Sequence, residues 1–171
     1  TYMDEGTKIM ANLSIELCGV KLKNPVIAAS GTFGFGREFD ELYDVGILGG
    51  VSTKGLTLEP RPGNPVPRIA ESRGVILNAV GLQNPGVEHF IRCDLEWLKS
   101  KGTAVIANVA GKTLEDYAGI CKRLDGLADM IELNISCPNV KCGGMAFGIR
   151  PESVEEVTKA ARAALLKTPL M

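Results

Sequence analysis

Short apolar runs alternate along this chain with stretches of helical periodicity, and that alternation constrains the fold more than any other feature. Residues 25–30 (PVIAAS), 47–53 (ILGGVST), 103–108 (TAVIAN) and 130–135 (MIELNI) read as strands. Between them, Phe39, Leu42 and Tyr43 mark a helix over residues 37–45, stopped by Gly46. Val87, Phe90, Ile91, Leu95 and Leu98 mark a second helix that ends at Gly102. Thr113 caps a third through Leu124, with Leu114, Tyr117, Ala118, Cys121 and Leu124 on one face. Pro151 opens an Ala-rich helix through Lys167, and residues 168–171 (TPLM) begin a fifth strand. Strand, helix, strand, helix means βαβ units on a parallel sheet. The long segment 55–85, rich in Pro, Gly and Asn, reads as an excursion from that sheet.

Composition narrows the class without naming it. The 171 residues suffice for one domain, and 45% hydrophobic with 23% charged residues is ordinary for a globular protein. A formal net charge of −1 gives no electrostatic case for nucleic acid or an acidic membrane surface. No apolar run approaches the ~20 residues of a membrane span. The first residues, TYMDEGTKIM, lack the basic-then-apolar layout of a secretory signal, so the expected location is cytoplasmic. Patterning starts only after Met10, so residues 1–9 are expected to be a tag or upstream extension and 10–171 the domain. Five cysteines without secretory features argue against a disulfide framework, and no spacing suits a metal site. Cys18, Cys93 and Cys121 sit in apolar-patterned segments and are expected to be small buried hydrophobes.

Two parallel architectures compete. A dinucleotide-binding doubly wound sheet wants G-x-G-x-x-G after its first strand and an acid ending its second. Here the first turn reads GTFGFG over residues 31–36, and the second strand ends in Thr53 and Lys54. A (β/α)8 barrel instead gathers functional side chains at the C-terminal ends of successive strands. The four strands end in Ser30, in Thr53 and Lys54, in Asn108, and in Asn134 followed by Cys137. Polar residues at one strand end mean only that a loop begins. A lysine and two asparagines among four consecutive ends point to a shared site. A whole barrel takes ~250 residues, so about the first half of a TIM barrel is expected here.

The segments NPVIAASGTFGFG, STKG, RIAESRGVILNAVGLQNPG, ANVAGKTLEDY and ELNISCPNVKCGGMAFG resemble the catalytic subunit of class 1 dihydroorotate dehydrogenases. The wording NAVGLQNPG and PNVKCGGMAFG is nearer the NAD-linked type B branch than the fumarate-linked type A branch. The resemblance implies an FMN-dependent barrel that oxidises dihydroorotate to orotate in pyrimidine biosynthesis. Electrons would pass to NAD through an electron-transfer subunit carrying FAD and a [2Fe-2S] cluster. A homodimer of catalytic subunits within a heterotetramer is implied as well.

The same resemblance assigns roles by position. Cys137 matches the base that takes the C5 proton of dihydroorotate while hydride leaves C6; a free thiol, with a pKa of ~8.5, can trade protons near neutrality. Lys54 matches a lysine beside both flavin and substrate, where a cation favours the anionic reduced ring. Ser30, Lys54, Gly55, Asn108 and Asn134 match flavin-contacting positions. Lys54, Asn78, Ala79, Val80, Gly81, Leu82, Asn134 and Asn139 match substrate-binding ones. Asparagine suits a ring edge of alternating N–H and C=O, since its amide offers both functions. Cys142 is read as a loop filler, His89 and Trp97 as packing or surface residues, and Met145 and Phe147 as lining or covering the Cys137 loop. Two other readings stay open: a non-catalytic half-barrel, and a related flavin enzyme such as the pyrimidine-reducing domain of dihydropyrimidine dehydrogenase. The 171 residues alone are expected to bind FMN poorly and to show no turnover.

Overall fold

The computed structural model describes residues 11–136 and 145–171. An antiparallel hairpin comes first. Its strands β1 (Ile15–Leu17) and β2 (Val20–Leu22) turn on Cys18 and Gly19, both at positive φ, as a two-residue hairpin turn demands. The remaining elements are β3 (Ile27–Ala28), α1 (Arg37–Asp40), β4 (Gly50–Ser52), β5 (Ile69–Ser72), β6 (Val75–Asn78), α2 (Val87–Phe90), α3 (Glu96–Ser100), β7 (Ala104–Val109), α4 (Leu114–Leu124), β8 (Met130–Leu133), α5 (Met145–Gly148) and α6 (Pro151–Ala164).

Four strands form one parallel sheet in the order β3-β4-β7-β8, and Leu170 bridges Ile131 in parallel beyond β8. Spatial order therefore follows chain order throughout. A doubly wound sheet reverses direction at its switch point, whereas a barrel adds each strand on the same side. The sheet is an arc of a barrel. Alternate residues divide its two faces. Val51, Val105, Ala107, Val109 and Ile131 face the helices and join Phe90, Leu98, Tyr117, Ile120 and Val157 in one core. The alternate positions form the concave face, where the Ser52 hydroxyl donates to the Glu132 carboxylate and Asn108 stands beside Asn134.

The helices follow their sequence signals with three exceptions, one being that α6, expected through Lys167, ends at Ala164 where Leu165 turns extended. Thr113 caps α4 in a capping box with Asp116, and Pro151 sits in the first turn of α6. The segment from Val87 to Ser100 is continuous but takes a π-helical turn over Ile91–Leu95. The helix expected over 37–45 stops at Asp40. Asp44 turns extended and accepts from the Gly46 amide, opening a 3-10 turn over Val45–Ile47 that leaves Leu42 79% exposed. Within the excursion, β5 and β6 form an antiparallel hairpin turning at Arg73 and Gly74. Two of the cysteine expectations need correction. Cys18 is exposed because it occupies the hairpin turn, and Cys93 because it lies on the solvent side of the π turn; Cys121 is buried on α4 as expected.

Candidate active site

The C-terminal ends of the barrel strands open onto a cleft of about 510 Å³. Ser30 follows β3, Lys54 and Gly55 follow β4, Asn108 is the penultimate residue of β7 and Asn134 follows β8; all border it. Asn78, Val80 and Leu82 close the opposite side from the β6 end of the hairpin. Eight residues expected at a flavin or substrate site thus meet around one space, though they span more than a hundred positions of sequence.

The asparagines are positioned by backbone and hydroxyl contacts that the sheet supplies. The Thr53 hydroxyl accepts from the Asn108 amide at 3.1 Å, and the Asn108 carbonyl accepts from Leu56 N at 2.8 Å. Asn134 N donates to the Val109 carbonyl at 2.8 Å, while the buried Tyr117 hydroxyl on α4 donates to the Asn134 carbonyl at 2.7 Å. Held this way, Asn134 Nδ2 donates to Asn108 Oδ1 at 3.1 Å. Asn134 Oδ1 is buried and has no donor among the described residues. A buried amide oxygen without a partner costs about 1–3 kcal/mol, so this atom asks for a donor that a ligand could bring.

Lys54 N donates to the Gly34 carbonyl at 2.9 Å, which ties the lysine to the loop after β3. That loop runs into α1, where Arg37 Nε meets Asp94 at 2.9 Å and its guanidinium stacks 4.6 Å from the Trp97 ring centre. The Lys54 ammonium joins none of the ion pairs among the described residues. Gly55 is packed from three sides. A Cβ there would stand 2.8 Å from Leu82 Cδ1, 3.0 Å from Asn108 Oδ1 and 3.4 Å from Asn134 Nδ2.

The segment 78–82 reaches the cleft through unusual backbone. Gly81 at φ 77° and Leu82 at φ 57° are consecutive left-handed residues, and such a φ is rare for leucine. Ala79 and Gly81 do not line the cleft. Ala79 is exposed, with its carbonyl taken by Asn64 Nδ2, and Gly81 is buried against the Asn64 carboxamide; they shape the segment that presents Asn78, Val80 and Leu82. Cys137 and Asn139 lie outside the described residues, as does Cys142. Ser136, immediately before Cys137, borders the cleft.

Several contributors escaped the sequence reading. Gly31 and Ile69 also line the cleft, the latter because the hairpin register sets it opposite Asn78. Glu132 and Ser52 lie on the concave face; a lone acid within the apolar run MIELNI was the available signal. Thr53 ends an apolar run in the sequence, but its role in holding Asn108 depends on register.

The family profile described as Dihydroorotate dehydrogenase matches residues 12–171. The dihydroorotate dehydrogenase B (NAD(+)) catalytic subunit of Caldicellulosiruptor saccharolyticus is 56% identical over 151 residues, covering 88% of this chain and 50% of the relative. That of Alkaliphilus metalliredigens is 54% identical over 161 residues, covering 94% of this chain and 53% of the relative. The chain spans about half the length of the curated relatives it matches. The crystal structure of DHODH from Eimeria tenella in complex with ferulenol is similar with a TM-score of 0.74 at 22% identity, covering 94% of this chain and 46% of that one. That likeness is one of fold: a (β/α)8 barrel, with about the first half present in this chain.

Proposed function

The chain belongs to the dihydroorotate dehydrogenase family, and from that premise we propose that it supplies the N-terminal half of a flavin-dependent barrel that oxidises dihydroorotate to orotate in pyrimidine biosynthesis. The observation that supports this most is the cleft itself. Backbone, amide and ammonium groups converge there, and the buried Asn134 Oδ1 waits for a donor.

The residues present fit FMN. The Lys54–Gly55 backbone borders the cleft, Ser30 and Asn108 offer polar contacts, and Asn134 Oδ1 can accept from a ring N–H. Bound FMN would supply the two-electron acceptor for the hydride leaving C6. The Lys54 ammonium would balance the negative charge that this transfer adds. Asn78 and Asn134 would orient the pyrimidine ring, with Asn139 completing the set. Cys137, next to the cleft-lining Ser136, would take the C5 proton, so that loss of a hydride and a proton yields the double bond of orotate. In the type B arrangement, electrons would continue to NAD through a partner subunit with FAD and a [2Fe-2S] cluster, within a cytoplasmic heterotetramer built on a homodimer of catalytic subunits.

Anaerobic reduction of the flavin-loaded full-length protein tests this. Dihydroorotate should bleach the flavin absorbance, orotate should compete and uracil should not. A flavin that dihydroorotate leaves oxidised would overturn the proposal, and competition by uracil would redirect it to another pyrimidine. The 171 residues alone should hold FMN weakly and show no turnover.

A further inference from the structure

We propose that Asn84 is a positioning residue that sets the substrate wall of the cleft through Leu82; the inference rests on the functional reading above. Asn84 is buried and its carboxamide is saturated. Nδ2 donates to the Leu82 carbonyl at 2.9 Å and to Thr57 Oγ1 at 3.0 Å. Oδ1 accepts from Gly86 N at 2.9 Å and from Thr57 N at 3.2 Å. Its backbone pairs with Arg61 in both directions, at 2.9 and 3.0 Å. With its hydrogen-bonding groups engaged inside the protein, Asn84 has nothing left to offer a ligand. What it controls is the peptide that follows Leu82.

That peptide matters because Leu82 is left-handed, a conformation an L side chain leaves readily unless the surroundings hold it. The Asn84 amide pins the Leu82 carbonyl to the Thr57 segment, only two residues beyond Gly55. This keeps the Leu82 side chain over Gly55 and beside Asn108 and Asn134. If Leu82 relaxed to negative φ, its side chain would swing off Gly55 and the wall would open. Asparagine suits the task because one planar group donates to Leu82 and Thr57 while accepting from the Thr57 and Gly86 amides.

The test uses the flavin-loaded full-length protein. Asn84→Ala should raise the KM for dihydroorotate about tenfold, the factor matching the cost of one left-handed leucine. Flavin content should be unchanged and kcat should stay within about twofold, the pattern of lost uniform binding. In a Leu82→Gly background, where glycine adopts positive φ freely, adding Asn84→Ala should change KM by less than about threefold. A merely structural Asn84 would lower the melting temperature and give the same KM factor in both backgrounds, which overturns the proposal. Should Asn84→Ala not fold, Asn84→Asp keeps the acceptor for Thr57 N and Gly86 N, loses the donor to Leu82, and should shift KM the same way. A crystal structure of either variant decides the matter independently of turnover. Leu82 still left-handed over Gly55 would refute the positioning role, whereas a wild-type protein inert to dihydroorotate would instead refute the functional reading.

Discussion

Replacing Gly55 by alanine adds one methyl group at the tightest point of the cleft. The new Cβ would lie 2.8 Å from Leu82 Cδ1 and 3.0 Å from Asn108 Oδ1, both inside ordinary contact distance. Leu82 Cδ1 is the far end of a flexible side chain and can turn aside, so the resistance falls mainly on Asn108. Asn108 could retreat only by giving up the 3.1 Å bond from Asn134. Overpacking of this kind costs about 1–3 kcal/mol, and the lost side-chain hydrogen bond falls within that range. For the full-length protein, about twice this length, each kcal/mol corresponds to roughly 1–2 °C, so a cost near 2 kcal/mol lowers the melting temperature by about 2–4 °C. Gly55→Ala in the flavin-loaded full-length protein should therefore melt a few degrees lower. It should also bind FMN or dihydroorotate more weakly, measured by flavin release and by KM. A variant that melts with the parent and keeps both affinities would show that Asn108 yields freely, and the rigid packing argued here would be refuted.

Tyr117→Phe keeps the buried ring but deletes the hydroxyl that donates to the Asn134 carbonyl; the cost should be about 1–3 kcal/mol by denaturant unfolding, together with a slower flavin reduction step. Thiol labelling mapped by mass spectrometry should modify Cys18 and Cys93 in the native protein, but Cys121 only after unfolding, because burial removes access and pushes its thiol up to about 11. Asp125 accepts from the backbone amides of Thr168, Lys167 and Leu166, which holds its carboxyl down at about 2, below the ordinary carboxylate value. A depressed pKa gives stability that is present above the unfolded value and lost as pH falls through the folded one. Thermal melts should accordingly separate Asp125→Ala from the parent at pH 7, and the gap should close as pH drops from about 4 to about 2.

The order and type of the barrel elements were written in the sequence because each depends on local periodicity. The strands around Val51, Val105 and Ile131 are short apolar runs, and α4 and α6 carry their caps in Thr113 and Pro151. The strand-end residues could be named for the same reason: the place where an apolar run stops is visible one residue at a time. Motif resemblance then supplied their roles. The register could not be read this way. That Asn108 pairs with Glu132, that Thr53 reaches the Asn108 amide, and that Ile69 faces Asn78 all follow from how separate strands slide against one another. The early end of α1 was hidden because the Asp40 carboxylate takes the Val45 amide, which helix periodicity assigns to the helix. The hairpin β5–β6 was hidden because its strands are exposed on both faces and lack a buried stripe. Asn84 shows the limit most clearly. In sequence it is the asparagine of an Asn-Pro turn; only the fold brings Thr57 to it from 27 positions away and makes it the group that holds Leu82. Local sequence chose the elements, and long-range packing chose which of their side chains face one another.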